Sequence, residues 1–149
     1  MKLIGGLLII CASICASFFY EKKQRNIINN QEALIDFLSY ISSQIEYFAK
    51  PINEIFYTYK TKNDFIENSI KDKESLDLSL IDASIQQDVY NFFNELGKGY
   101  KKEEIALCSY TKNVISACTE KLKLEYSKKC RVYRSLSLFI GLSAVILLI

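Results

Sequence analysis

The side chains that carry most enzyme chemistry are scarce in this chain. Histidine is absent, and so is tryptophan. Without histidine there is no Ser-His-Asp or Cys-His pairing of nucleophile and base, and no imidazole to ligate a metal. Five cysteines stand at positions 11, 15, 108, 118 and 130, and none forms a C-x-x-C pair, so no zinc site is expected. Cys108 and Cys118 fall on an apolar helical stripe and read as small core residues of a reducing compartment. The close carboxylates, Glu103 with Glu104 and Asp72 with Glu74, read as surface charges on a helix or loop without an acid–base role. Glycine occurs only at 5, 6, 97, 99 and 141, which leaves no Walker loop or dinucleotide fingerprint. The Gly97-Lys98-Gly99 triplet is too short to cradle a phosphate and reads as a helix stop. The expectation is a non-enzymatic protein with no cofactor, no metal and no small-molecule substrate.

Charge divides the chain into three parts. Residues 3–20 and 135–149 carry no charge, and all 17 acidic residues lie between them, as does every basic residue except Lys2. The central part is therefore close to neutral, which argues against a nucleic-acid partner, because a phosphate-binding surface carries an excess of Lys and Arg. The first apolar block, of 18 residues, covers roughly 27 Å as a helix, near the ~30 Å hydrocarbon thickness of a bilayer. A cleaved signal peptide is the rival reading. The run exceeds a typical h-region, however, and its best cleavage candidate, Ile14-Cys15-Ala16, places a large residue at −3. The second block is shorter, and Val132 and Tyr133 must help it to span.

We therefore expect a transmembrane helix over residues 1–20, a helical bundle domain over 21–134 and a second transmembrane helix over 135–149. Lys22, Lys23 and Arg25 follow the first block, and Lys128, Lys129, Arg131 and Arg134 precede the second. By the positive-inside rule these membrane-flanking residues place the central domain in the cytoplasm of a two-span membrane protein. Tyr20 and Tyr133 occupy the positions of interfacial aromatics.

Within the central part the apolar spacing is helical. Leu34, Leu38, Ile41, Ile45, Phe48 and Ile52 recur at intervals of four and three, the pattern of an amphipathic helix or a short coiled-coil seam. Pro51 predicts a break near Ala49-Lys50 and a second helix from Pro51 to about Lys60. A short helix is expected over Asp64–Lys71 and a polar loop over Lys71–Ser79. A fourth helix carries Ile85, Val89, Phe92 and Leu96, capped by Asp82 or Ser84 and stopped by Gly97 and Gly99. From about Lys102 one long helix runs into the second block, with Ile105, Cys108, Ile115, Cys118 and Leu122 on one face. The fold class is all-α, an antiparallel helical bundle between two transmembrane helices.

Three stretches then carry a family resemblance. The Met1-to-Ile10 start, the Ile45-Glu46-Tyr47 stretch with Pro51-Ile52-Asn53-Glu54, and the ending from Tyr133-Arg134-Ser135-Leu136 through Gly141-Leu142 resemble the stage III sporulation protein AB family of endospore-forming bacteria. Phe92 with Leu96-Gly97 is similar to that family's Leu-Gly helix end. The chain departs from the family in a shorter middle, about residues 58–84, and in Tyr100-Lys101-Lys102-Glu103-Glu104. The resemblance implies a central domain similar to those of the type II secretion and type IV pilus platform protein. It implies a place on the mother-cell side of the outer forespore membrane, within a channel joining mother cell to forespore. The implied partners are a companion sporulation ATPase, other membrane subunits and membrane lipid, with docking around Glu46, Pro51, Leu96 and Gly97. The alternative is a structural membrane adaptor outside sporulation, dimerised through the seam of residues 27–52; a small membrane enzyme is a distant third.

Overall fold

The computed structural model describes residues 2–48, 50–60, 63–70 and 77–148, and it describes the side chains of only part of the two apolar ends. Described elements are all helical: α1 (Lys2–Ser43), a π-helical turn (Gln44–Phe48), α2 (Ile52–Thr58), a second π-helical turn (Ile66–Ile70), α3 (Gln86–Glu95) and α4 (Lys101–Leu148). The chain divides into two compact units, residues 27–121 and residues 1–26 with 122–149.

In the unit of residues 27–121 the apolar stripes converge on one core. Leu34, Phe37, Leu38, Ile41 and Ile45 from the α1 side meet Ile55, Phe56, Ile66, Ile70, Ile85, Val89, Phe92, Cys108 and Ile115. Burying a side chain such as Phe37, fully out of solvent, stabilises by about 1.5–3 kcal/mol. Its ring packs edge-on to Phe56, with centroids 5.2 Å apart, and also meets Tyr59. Inside this unit α1 and α4 run antiparallel. Lys101 at the start of α4 reaches the carbonyl of Glu46 at the far end of the α1 path, and Thr119 further along α4 meets Gln31 of α1. The seam residues Leu34, Leu38, Ile41 and Ile45 are thus consumed by the unit's own core.

Four local expectations are corrected. The stripe does not extend to Phe48, which is 64 % exposed. The π-helical turn over Gln44–Phe48 supplies the reason: it holds an extra residue per turn, and each residue advances the helix by roughly 100°, so Phe48 leaves the buried face. The helix expected over Asp64–Lys71 is largely a π-helical turn over Ile66–Ile70, opened by the Asn63 side chain, which accepts from the N–H of Ile66. Neither Asp82 nor Ser84 caps α3, whose N-cap is Ile85 without a side-chain bond. Asp82 instead closes the preceding turn through the N–H and hydroxyl of Ser84, and Ile81 and Ile85 are held in the core. Finally Glu104 is buried rather than a surface charge. The loop expected over Lys71–Ser79 lies mostly outside the described residues.

In the unit of residues 1–26 with 122–149, the rings of Tyr20 and Tyr133 stand 4.8 Å apart and tilted by 51°. Beside them Lys129 pairs with Glu125 at 2.9 Å. Lys22, Lys23, Arg25, Lys128, Lys129 and Arg131 are exposed; the Arg134 side chain lies outside the described residues. Among the described residues no helix is long and apolar enough to cross a membrane. The spans expected over 1–20 and 135–149 fall in good part on side chains outside the described residues.

Candidate functional site

The site is built from two helix junctions. At the first, Pro51 stands before α2 in an extended conformation, and its carbonyl accepts from Glu54 and Ile55. Proline lacks the N–H that a continued helix needs, so the chain turns here and Ile52 swings toward the second junction. There α3 ends at Glu95, and Gly97 takes φ +93°, the left-handed geometry that glycine reaches without a Cβ penalty. A Cβ on Gly97 would lie 2.9 Å from Ile52 Cδ1, so the glycine also sets how closely the junctions approach.

The start of α4 folds back over this corner. The Glu103 carboxylate accepts from the Tyr100 N–H at 2.9 Å, which is the reciprocal half of a capping box. Glu104 Oε1 accepts from the N–H groups of both Gly97 and Gly99, each at 2.9 Å. Both carboxylates also sit at the positive end of the helix dipole. A Cβ on Gly99 would lie 3.1 Å from Glu103 Oε2, so the Glu103 carboxylate would have to yield by a few tenths of an ångström. Behind this corner the Cys108 thiol is pushed up to about 12, first by burial and then by the nearby Glu104 charge, so it stays neutral and unreactive.

Between the junctions opens a cavity of about 530 Å³, lined in part by Ile45, Lys50, Pro51, Leu96, Gly97 and Glu104. Of the residues expected to dock a partner, Pro51, Leu96 and Gly97 line this one cavity. Glu46 stands outside the lining: its carbonyl accepts from the Nζ of Lys101, a lining residue, at 2.6 Å, and its side chain is exposed. Lys50, also in the lining, pairs with Glu54 at 3.2 Å. Exposed aromatics adjoin the lining segments: Tyr47 and Phe48 after Glu46, and Tyr100 before Lys101. Sequence reasoning missed Glu104 as the organiser of the corner. The signal was available, because a Gly-x-Gly pair followed within five residues by a helix-opening Glu-Glu offers free N–H groups to a carboxylate. Among the described residues no cluster of His, Cys, Asp and Glu has the arrangement of a metal site.

The family model for stage III sporulation protein AB matches residues 2–70 and 67–149 of the chain. No curated protein and no solved structure matches it.

Proposed function

Because the chain belongs to the stage III sporulation protein AB family, and is thus sporulation-related, we propose that it is a membrane-anchored, non-enzymatic platform subunit whose helical domain docks a partner. The observation that carries this reading is the convergence of Pro51, Leu96 and Gly97 on one cavity, whose lining residue Lys101 is bonded to the Glu46 carbonyl. Tyr47, Phe48 and Tyr100, all more than 60 % exposed in the adjoining segments, suit an interface, where aromatic residues are enriched. The partner we propose is a companion cytoplasmic ATPase of the same sporulation complex. The complex itself would be a channel joining mother cell and forespore, with this chain on the mother-cell side.

Support for the membrane anchors comes from charge. The uncharged runs 3–20 and 135–149 border the basic residues Lys22, Lys23, Arg25, Lys128, Lys129, Arg131 and Arg134, which favours two spans and a cytoplasmic central domain. The dimeric-adaptor alternative loses its basis, since Ile41 and Ile45 are buried in the domain's own core.

Deleting the gene in a spore-former tests the reading. Spore yield should collapse, the wild-type chain should restore it, and a Lys101→Trp variant, which blocks the cavity mouth, should not. Normal yields from Lys101→Trp would overturn the docking proposal.

A further inference from the structure

The chain's net charge of +2 conceals a division between its two units. Residues 27–121 carry 15 acidic and 10 basic residues, a balance of −5. Residues 1–26 with 122–149 carry two acidic and nine basic residues, a balance of +7. Glu125 pairs with Lys129 and Glu21 is buried, so the exposed charge of this second unit is mostly basic.

Helix register concentrates that charge. Within the unit the rings of Tyr20 and Tyr133 stand 4.8 Å apart, so these two positions are level. Tyr20 and Gln24 also share one small cavity with Leu122, Tyr126 and Lys129, so the residues after Tyr20 lie beside those before Tyr133. Lys22, Lys23 and Arg25 come two to five residues after Tyr20, and Lys128, Lys129 and Arg131 come two to five residues before Tyr133. At about 1.5 Å of rise per residue, all six fall in one band roughly 3–8 Å from the tyrosine level. All six are exposed. The headgroup layer of one leaflet has the same depth, roughly 5–8 Å, and tyrosine belongs at its inner boundary.

We propose that this band selects anionic phospholipids, its lysines and arginines donating to headgroup phosphates. The inference rests on the two-span reading above and names the lipid chemistry that the spans select. Three features favour a lipid surface over a soluble anion. At 3.6 residues per turn, positions 22, 23 and 25 point in three directions around one helix, as do 128, 129 and 131 around the other, which suits a surrounding layer of headgroups rather than one compact ligand. The uncharged runs 3–20 and 135–149 adjoin the band, so the segments that would enter hydrocarbon bring the cations to phosphate level. Attraction of Lys and Arg to an anionic leaflet fades within a Debye length, about 8 Å at physiological ionic strength, and the band lies inside that reach. Arg25 and Arg131 add a planar fork that matches two phosphate oxygens.

The test uses the full chain in phosphatidylcholine nanodiscs that hold a trace of spin-labelled lipid. Electron spin resonance reads the fraction of label slowed by contact with the protein. Spin-labelled phosphatidylglycerol should associate at least about threefold more strongly than spin-labelled phosphatidylcholine in about 0.1 M NaCl, and the preference should vanish in about 1 M NaCl, where the Debye length is about 3 Å. Combining Lys22→Gln, Lys23→Gln and Lys128→Gln should remove most of the preference. Combining Lys60→Gln, Lys98→Gln and Lys112→Gln removes the same charge from residues 27–121 and should leave it intact. Inorganic phosphate added at constant ionic strength should not compete. Equal association of the two lipids, a preference unchanged in high salt, displacement by inorganic phosphate, or an equal loss in the two triple variants would each overturn the inference. Should the band variant not fold, the salt and phosphate arms on the wild-type chain decide alone. Failure of the two-span reading has a separate signature, since discs of phosphatidylcholine alone would then not retain the chain in high salt. Failure of the lipid inference alone leaves the chain embedded in those discs without a preference.

Discussion

Ile52 Cδ1 occupies the space that a side chain on Gly97 would need, 2.9 Å from where its Cβ would stand. Gly97→Ala therefore adds a steric clash to the cost of a left-handed backbone, which is roughly 1–2 kcal/mol for an L residue. Because the flexible end of the Ile52 side chain can move aside, we expect a loss of about 1–2 kcal/mol, read as a lower denaturant midpoint with unchanged slope. Gly97→Asn, which tolerates the left-handed region but keeps the Cβ, should recover only part of it. A Gly97→Ala chain as stable as wild type would refute the packing described.

The π-helical turn makes a second expectation. Phe37 is fully buried and Phe48 is 64 % exposed, although sequence spacing favours Phe48 for the core. Phe37→Ala should cost about 3–5 kcal/mol. Phe48→Ala should stay within about 0.5 kcal/mol. Urea unfolding of both variants checks the contrast, and a reversed order would mean that the helix keeps its α-helical phase through residue 48.

A polar pair inside the core gives a third. Thr119 donates to Gln31 at 3.0 Å, and its hydroxyl also approaches the Ile115 carbonyl at 2.7 Å. Gln31 is fully buried, and its Nε2 has no partner among the described residues. Thr119→Val leaves Gln31 poorer still and should destabilise by about 1–3 kcal/mol. Adding Gln31→Leu removes the stranded amide, so the double variant should be more stable than Thr119→Val alone. A double-mutant cycle by thermal or urea unfolding measures the coupling.

Cys108 supplies a pH dependence. Its thiol is raised from 9.0 to about 12 in the folded chain, so the folded state holds a proton that the unfolded state releases over that interval. Stability from this group is complete below about pH 9 and is lost as pH climbs toward 12, at up to about 1.4 kcal/mol per pH unit. Between pH 9 and 11 the wild-type chain should lose stability faster than Cys108→Ala. Parallel profiles for the two would refute the shift. The same burial predicts that maleimide labels Cys108 at pH 8 only after denaturation.

Much of the bundle is legible in the residues themselves. The four-and-three spacing from Leu34 to Ile45 and from Ile85 to Leu96 places two faces of the core. Pro51 and Gly97 mark the junctions because proline fixes its own φ and removes a helix donor, while glycine alone enters the left-handed region without penalty. The rest depends on tertiary contact. Phe48 reads as buried because periodicity assumes a uniform turn, and nothing in Gln44–Phe48 announces an extra residue. Glu104 reads as solvated because its sequence neighbours are charged, and its burial follows from a loop folding back onto the helix it precedes. Pro51, Leu96 and Gly97 are expected docking positions through resemblance alone, and their meeting at one cavity is a product of the fold.

The two walls of that cavity have different origins in time. The Gly97–Glu104 corner closes over contacts only five and seven residues apart, and loops of that size close in about 10–100 ns. The opposite wall, tied by Lys101 to Glu46, is 55 residues distant and arrives only when the chain has paid the entropy of a long closure. An occupant of the cavity therefore staples a fast local element to a slow remote one. Its binding would be drawn from the folded state alone, so occupancy should raise the melting temperature of the whole domain, and a docked partner would also act as a folding clamp.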